Sequence, residues 1–219
     1  MKEQEKIYNY SPNWAVLKLI PSNVSNILDI GCGNGGIKEF INKSIKIDGI
    51  TFSKKEYDLS INKLNNVYLQ NLESGLPDNL SKYDVIIASH IIEHIAYPQN
   101  LFNDIKKIMH NNSILIVALP NIMHYNNRLK LFFGNFNYDD TGLMDYTHLR
   151  WYTYKSAKKL FLKNDFLIAK FFVEGNLPFY RLTKYFPEKT KNIIKKILFG
   201  LSKGFFGVQL IYILKYQNN

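Results

Sequence analysis

The sequence is poor in cysteine, with Cys32 alone among 219 residues. One thiol cannot form an internal disulfide, and a cysteine-rich zinc site needs several ligands of that type. Both features are therefore excluded within this chain. Such sparing use of cysteine fits a reducing compartment, so we expect a cytoplasmic protein.

Long apolar runs are missing as well. The N-terminal segment 1–14 is polar and lacks the apolar core of a signal peptide, and no run approaches the roughly 20 residues that cross a bilayer. With 46% hydrophobic and 15% aromatic residues, the chain still has enough apolar side chains for a full core. We expect a soluble protein with a single domain over residues 1–219.

Arginine is scarce although the chain is basic. The formal net charge is +10, but only three of the 28 basic residues are arginine, namely Arg128, Arg150 and Arg181. Lysine lacks the planar fork with which arginine recognises bases and phosphates. Because the sequence also has no NPPY-type tetrapeptide after its fourth apolar run, we expect no nucleic-acid partner.

Short apolar runs alternate with amphipathic stretches along most of the chain. The apolar runs predict seven strands, at 26–30, 46–52, 66–71, 83–89, 113–120, 166–174 and 208–216. Helical spacing of apolar residues predicts helices at 36–44, 54–64, 101–109 and 154–164. The alternation predicts a doubly wound α/β fold with a mostly parallel sheet and helices on both faces.

Two segments interrupt this alternation. Residues 121–153 follow the fifth strand, where loops of an open α/β sheet reach the crevice at the carboxyl ends of the strands, so we expect a lid or substrate segment. Residues 177–206 form an expected helical insertion between the last two strands. Its part 188–201 sets apolar side chains opposite lysines. Such a helix either packs against its own domain or lies on an anionic membrane.

The stretch LDIGCGNGG, residues 28–36, carries the clearest chemistry. Glycines at a strand-to-helix turn let a ligand approach the backbone, and Gly31, Gly33 and Gly36 match the G-x-G-x-x-G pattern of dinucleotide-binding folds. Asp29 decides against a dinucleotide, because a carboxylate there would repel a diphosphate. The same carboxylate suits a ligand with an ammonium group and a sulfonium, and S-adenosylmethionine has both.

At these residues the sequence resembles the first motif of class I, Rossmann-like S-adenosylmethionine-dependent methyltransferases. The resemblance implies an enzyme that uses S-adenosylmethionine and releases S-adenosylhomocysteine. It implies an antiparallel last strand in the seven-stranded sheet. The methionine end of the cofactor would be held by Asp29, Gly31, Cys32, Gly33 and Gly35.

The second and third motifs of that family are altered here. Thr51 stands where many members have a ribose-binding aspartate, and GITFS is instead similar to the cyclopropane fatty acid synthases, which have a ribose-binding glutamine at the position of Glu56. Because a carboxylate accepts from two vicinal hydroxyls, we expect Glu56 to bind the ribose with support from Thr51. The alternative is that Glu56 is a solvated helix residue. Asn71 and Leu72 are expected at the adenine.

The stretch HIIEH, residues 90–94, matches the H-x-x-E-H signature of a class of metalloproteases. On a helix, His90 and His94 would share a face and could bind zinc, with Glu93 as general base. The motif follows a buried strand, however, and resembles the sequence after strand four in methyltransferases of ubiquinone synthesis. We therefore expect no metal, and expect Ser89 and His90 to face the transferred methyl group. Metal binding remains the alternative.

Residues 142–153, GLMDYTHLRWYT, concentrate polar side chains before a predicted helix. Together with LPNIMHYNNRL, residues 119–129, they are similar to methyltransferases of bacterial polysaccharide, O-antigen and capsule biosynthesis. The resemblance implies O-methylation of a small or carbohydrate-like acceptor. The candidate catalytic residues are His90, His148 and Asp145, and the candidate substrate ligands are Arg150 and His94. Alternatively, Asp145, His148 and Arg150 only tie the lid to the sheet.

Two other functions stay open from the sequence. The acceptor of an enzyme could be a quinone precursor, a lipid or an amine, and the GITFS stretch favours a lipid. A non-catalytic protein could instead retain the glycine loop and bind the cofactor without turnover.

Overall fold

The computed structural model describes residues 11–175, 177–178 and 183–216. Its strands are β1 Asn26–Ile30, β2 Lys46–Thr51, β3 Asn66–Leu69, β4 Tyr83–Ser89, β5 Met109–Pro120, β6 Phe166–Glu174 and β7 Gln209–Tyr216. Its α-helices are α1 Trp14–Leu17, α2 Lys54–Ser60, α3 Pro98–Lys107, α4 Tyr125–Phe132, α5 Tyr154–Lys163, α6 Glu188–Leu201 and α7 Lys203–Phe206. Three short 3₁₀ helices span Gly36–Phe40, Leu72–Ser74 and Ile92–His94.

The seven strands form one sheet in the order β3-β2-β1-β4-β5-β7-β6. Strands β3, β2, β1, β4 and β5 pair in parallel, whereas β7 is antiparallel to both of its neighbours, β5 and β6. The order reverses beside β1, so β1 and β4 border the crevice where open α/β sheets bind their ligands. This architecture confirms the predicted fold class, including the antiparallel last strand. The single-domain boundaries at 1 and 219 lie outside the described residues and stay a prediction.

The sheet is covered on both faces because its central strands carry apolar side chains on both sides. Successive side chains of a strand point to opposite faces, and β1 shows this directly. Leu28 and Ile30 belong to one buried cluster, which packs against Phe102 of α3 and Phe161 of α5. Ile27 belongs to a second cluster on the opposite face. The strands are thereby fixed from both sides, and their carboxyl ends are rigid supports for loops.

Several predicted elements have different bounds. The expected helix 36–44 is a 3₁₀ helix, Gly36–Phe40, in which only Gly36 and Ile37 are buried. Helices gain most of their stability from a buried face, and Phe40 is 47% exposed. Strand β5 starts four residues earlier than predicted, because Met109 pairs with Tyr83 across an irregularity in the β4–β5 register. The lid segment 121–153 also contains an unpredicted helix, α4.

The basic helix α6 has no buried residue. Ile193, Ile197 and Leu201, spaced four apart, are each more than half exposed. Packing of this stripe against the described part of the domain is therefore incomplete, and contact with an anionic membrane stays a prediction. Residues 179–182 of the same predicted insertion lie outside the described residues. No helix within the described ranges has both the length and the hydropathy of a membrane-spanning segment.

Gly49 in β2 provides a test of this packing. A Cβ atom at Gly49 would lie 2.6 Å from Sγ of Cys32 and 2.6 Å from a methyl carbon of Leu64. We expect Gly49→Ala to lower the free energy of unfolding by about 1–3 kcal/mol, the usual cost of overpacking a core. Urea unfolding would measure this.

The matched control is Gly204→Ala in α7, where a Cβ atom meets nothing within 4 Å. We expect Gly204→Ala to leave the unfolding curve nearly unchanged or to stabilise it slightly. Equal effects of the two substitutions would contradict the packing described for β2.

Candidate functional site

A cavity of ≈ 1430 Å³ opens at the carboxyl ends of β1, β2 and β4. It extends under the lid segment and to the start of β7. Most predicted site residues line it, namely Asp29, Gly31, Cys32, Gly33, Thr51, Glu56, Asn71, Leu72, Ser89, His90, His94, Asp145 and His148. Ligand pockets usually measure about 300–1,000 Å³, so this cavity has room for two molecules side by side.

Asp29 lies at the cavity wall near the end of β1, and its side chain is only 9% exposed. Burial raises the pKa of its carboxyl group to about 7. Among the described residues, no cationic side chain pairs with this carboxylate. A buried carboxylate without a cation is costly, and a positively charged ligand in the cavity would relieve that cost.

The glycine loop is clamped onto β2. The amides of Gly31 and Cys32 donate to the carbonyl of Ile50, at 2.8 and 3.0 Å. Gly31 has a φ of 80°, and a Cβ atom there would lie 2.1 Å from the side chain of Ile91. The loop can therefore pass between β2 and the segment after β4 only with glycine at position 31.

Cys32 and Gly35 of the loop have different surroundings. The Cys32 thiol is buried, and burial raises its pKa, so it stays protonated and is not a nucleophile. Gly35 does not line the cavity. Its φ is 72°, and a Cβ atom there would lie 3.1 Å from Leu64 and 3.2 Å from Ser60. Gly35 therefore packs against the end of α2, and the geometry does not support the predicted contact between Gly35 and the cofactor.

Glu56 is buried in the first turn of α2 rather than solvated. Its Oε2 accepts a hydrogen bond of 2.7 Å from the hydroxyl of Thr51, which fixes the carboxylate beside the end of β2. Ser53 caps the helix by accepting from the amide of Glu56. The pair of Thr51 and Glu56 thus presents acceptor oxygens to the cavity, as a ribose ligand requires.

Asn71 and Leu72 follow β3 at the neighbouring edge of the cavity. The side-chain oxygen of Asn71 accepts from the amide of Glu73 at 3.0 Å and so caps the 3₁₀ helix Leu72–Ser74. That oxygen retains a second lone pair for an exocyclic amine. Leu72 is half-buried and offers an apolar surface beside it.

The residues after β4 belong to a polar network that local motifs did not reveal. Asn13 donates to Oγ of Ser89 at 3.0 Å and to Oε1 of Gln209 at 2.9 Å. Nε2 of His90 lies 3.1 Å from the same Gln209 oxygen, and Nδ1 of His90 lies 3.2 Å from Oε1 of Glu93. Asn13 and Gln209 are distant in the sequence. The pairing of Gln209 with Pro120 in the β5–β7 register brings Gln209 to this edge of the sheet.

His90 is poorly arranged to act as a base. Both of its ring nitrogens face acceptor oxygens, so both carry protons and neither offers a lone pair. Burial lowers the pKa of His90, but the hydrogen bond and charge of Glu93 and the contact with Gln209 outweigh burial, and the pKa is raised. His90 also has an uncommon φ of 57°. These features favour His90 as a charged donor in the network.

His148 has the opposite properties. Its Nδ1 donates to the carbonyl of Leu143 at 3.1 Å, which places the proton on Nδ1 and leaves a lone pair on Nε2. Burial lowers the pKa of this imidazole, so the neutral form is favoured. Asp145 holds the turn in place, because its Oδ1 accepts from the amide and the hydroxyl of Thr147. Asp145 thus positions His148 rather than offering a free carboxylate oxygen at Oδ1.

Glu93 and Arg150 tie the lid to the segment after β4. The carbonyl of Glu93 accepts from the amides of Leu149 and Arg150, at 2.9 and 3.0 Å. The guanidinium of Arg150 donates to the carbonyl of Ala96 and does not line the cavity. The predicted role of Arg150 as a substrate ligand is not supported by this geometry, whereas the predicted lid tie describes its position. His94, the other predicted ligand, does line the cavity and contacts Thr147.

Comparison with known proteins agrees with this geometry. The family model described as "Methionine biosynthesis protein MetW" matches residues 12–185. A search of curated proteins gives no match.

Solved structures with the same fold are numerous. A SAM-dependent methyltransferase from Archaeoglobus fulgidus is 20% identical, with a TM-score of 0.61 over 90% of this chain and 87% of that one. The O-methyltransferase of a trans-AT PKS multienzyme from Brevibacillus brevis, in complex with S-adenosyl-L-homocysteine, is 18% identical, with a TM-score of 0.56 over 92% and 70%. The plantazolicin methyltransferase BpumL, in complex with SAH, is 18% identical, with a TM-score of 0.53 over 89% and 77%. The fold is therefore that of the SAM-dependent methyltransferases.

The buried carboxylate of Asp29 predicts a specific pH dependence of stability. Its pKa is about 7 in the folded chain against an ordinary value of 3.8. Between these pH values the folded chain binds a proton that the unfolded chain has lost, so the free energy of unfolding falls as the pH rises. Asp29→Asn removes this loss. We expect the free energy of unfolding of the variant to exceed that of the parent by about 2–4 kcal/mol at pH 8, and by less at pH 5.

Unfolding by urea without added cofactor, at both pH values, measures the difference. Asp78→Asn, at an exposed position, is the control and should have no such effect. If Asp29→Asn shifts stability equally at pH 5 and pH 8, the carboxyl group does not titrate in this range, and its buried, unpaired state is contradicted.

Proposed function

The chain belongs to the family of methionine biosynthesis protein MetW, and from that premise we propose that it transfers a methyl group from S-adenosylmethionine to an acceptor oxygen. The observation that carries this proposal is the buried carboxylate of Asp29, which faces a large cavity without a cationic partner among the described side chains. A cofactor with an ammonium group and a sulfonium supplies positive charge where the cavity lacks it.

The residues of the cavity fit this cofactor from one end to the other. Asp29 and the clamped glycine loop suit the methionine end, where the backbone at Gly33 leaves open space. The Thr51–Glu56 pair suits two ribose hydroxyls, and Asn71 with Leu72 suits an adenine ring. These groups follow the carboxyl ends of β1, β2 and β3 in spatial order, which is the order of the cofactor's own parts.

The methyl transfer needs alignment and a proton acceptor. When bound, S-adenosylmethionine supplies a methyl group on a sulfonium, which is already activated as a leaving group. The chain then has to hold the acceptor hydroxyl in line with that group and to accept its proton. We assign the proton to Nε2 of His148, because this imidazole is neutral, carries an oriented lone pair and lines the cavity.

We further propose a small or carbohydrate-like acceptor. Polar side chains from the lid and from the far end of the sheet line the part of the cavity beyond His90; they are Asp145, Thr147, His148, Glu174 and Gln209. An acceptor with several hydroxyl groups would find both donors and acceptors there. The similarity of 119–129 and 142–153 to methyltransferases of surface polysaccharide biosynthesis supports the same class.

Two other acceptor classes are retained for specific reasons. Leu143 and Leu149 also line the cavity, so a quinone precursor or a lipid has an apolar surface to contact. The description of the family refers to methionine biosynthesis, which directs attention to small acceptors of amino-acid metabolism. An acceptor screen therefore includes nucleotide sugars first, then quinone precursors, lipids and small amino-acid metabolites.

The assignment of the base predicts the effect of His148→Gln. The protein is incubated with S-adenosylmethionine and each acceptor, and mass spectrometry detects the methylated product. For the acceptor that reacts, we expect His148→Gln to lower the turnover number by about 10²-fold to 10⁴-fold, because glutamine cannot accept the proton. Cofactor binding, measured by calorimetry, should stay unchanged.

His110→Gln is the matched control, because the His110 ring contacts Asp84 and does not line the cavity. It should leave turnover unchanged. Full turnover in His148→Gln would contradict the assignment of the base. Slow formation of S-adenosylhomocysteine that no acceptor accelerates would instead favour a cofactor-binding protein without an acceptor.

A further inference from the structure

Three potential metal ligands converge at the cavity wall, two from the segment after β4 and one from the lid. One carboxylate oxygen of Glu93 and one ring nitrogen each of His94 and His148 lie within 4.8 Å of one another. The set differs from the HIIEH motif, because His148 comes from the lid and His90 takes no part. His90 is excluded by its two hydrogen bonds, which leave it no lone pair.

The two imidazoles are oriented as metal ligands usually are. Nδ1 of His148 donates to the carbonyl of Leu143, and Nδ1 of His94 lies 3.3 Å from the carbonyl of Thr147. A carbonyl can only accept, so the proton of each ring is on Nδ1 and the lone pair is on Nε2. Histidines that bind metals almost always donate their other ring nitrogen to a carbonyl or a carboxylate in this way.

The carboxylate of Glu93 supplies an independent observation. Glu93 is fully buried, with 0% of its surface exposed. Its Oε1 contacts His90, whereas its Oε2 has no hydrogen-bond partner. A buried carboxylate oxygen without a partner is costly, and it calls for a cation or a donor that the described side chains do not provide.

We propose that Glu93, His94 and His148 bind one divalent transition-metal ion at the wall of the cavity. Two imidazoles and one carboxylate form the ligand set of many catalytic zinc sites, in which the fourth position is open. Ligands of tetrahedral zinc are about 3.4 Å apart at bond lengths of about 2.1 Å. Binding thus requires the ligand atoms, which lie within 4.8 Å of one another, to approach by up to about 1.4 Å.

The role of the ion rests on the proposed function, in which it would bind the acceptor. All three ligand residues line the cavity, so an acceptor oxygen bound there would be able to take the remaining position on the ion. Because the lone pair of His148 would then be used by the ion, the ion would hold and acidify the acceptor hydroxyl in its place, and the released proton would pass to bulk water in the open cavity.

Metal binding is tested directly on tag-free protein stripped with a chelator. Titration with Zn²⁺ by calorimetry, and with Co²⁺ by visible absorption, gives the stoichiometry and the kind of ligands. We expect one ion per chain and a Co²⁺ spectrum with nitrogen and oxygen ligands. His148→Gln, His94→Gln and Glu93→Gln should each weaken Zn²⁺ binding by at least about 10-fold.

His110→Gln is again the control, because His110 pairs with Asp84 and does not line the cavity, so the substitution should leave Zn²⁺ binding unchanged. Circular dichroism identifies any variant that fails to fold, and only variants that fold are compared. Zn²⁺ binding that is absent in the parent, or equal in the parent and in folded His148→Gln, would overturn the site.

S-adenosylmethionine titrations of the same samples separate the two proposals. Cofactor binding without Zn²⁺ binding overturns the metal site and leaves the proposed function in place. Zn²⁺ binding without cofactor binding overturns the proposed function and supports the metal site alone.

Discussion

The Asp29 carboxylate is buried at the carboxyl edge of the sheet, and the arrangement of the site depends on it. Its position follows from β1, whose flanking residues Leu28 and Ile30 are fixed in the core. Burial there raises the pKa of the carboxyl group, and the ionised form selects against anionic ligands in the same space. The glycine loop beside the Asp29 carboxylate then lets a positively charged ligand come close to the backbone.

The lid and the segment after β4 are joined by hydrogen bonds and line the same cavity as that carboxylate. Glu93 connects them through its carbonyl, which accepts from the amides of residues 149 and 150, while its side chain contacts His90 within the segment after β4. His148 follows the Asp145 turn into the cavity as part of the same arrangement. Chemistry on the acceptor side is therefore built from residues about 55 positions apart, whereas the cofactor side is built from local motifs.

This difference explains what the sequence could predict. The strands and Asp29, Thr51 and Glu56 were predictable because hydrophobic period and strand ends are local properties. The short extent of the Gly36–Phe40 helix was not predictable, because it depends on how many of its residues pack against the sheet. The place of Asn13 and Gln209 in the site was not predictable for a similar reason, since the tertiary fold brings Asn13 beside β7. The chemical roles of His90 and His148 depend on which ring nitrogen carries a proton. Tertiary hydrogen bonds determine this protonation.

The most direct test of the account is calorimetric titration of the chain with S-adenosylmethionine and, separately, with NAD. We expect micromolar binding of S-adenosylmethionine and no binding of NAD. Because Asp29→Asn removes one charge pair, we expect that variant to bind S-adenosylmethionine at least about 10-fold more weakly. Preference for NAD, or equal S-adenosylmethionine affinity in the parent and in Asp29→Asn, would contradict the central role of the buried carboxylate.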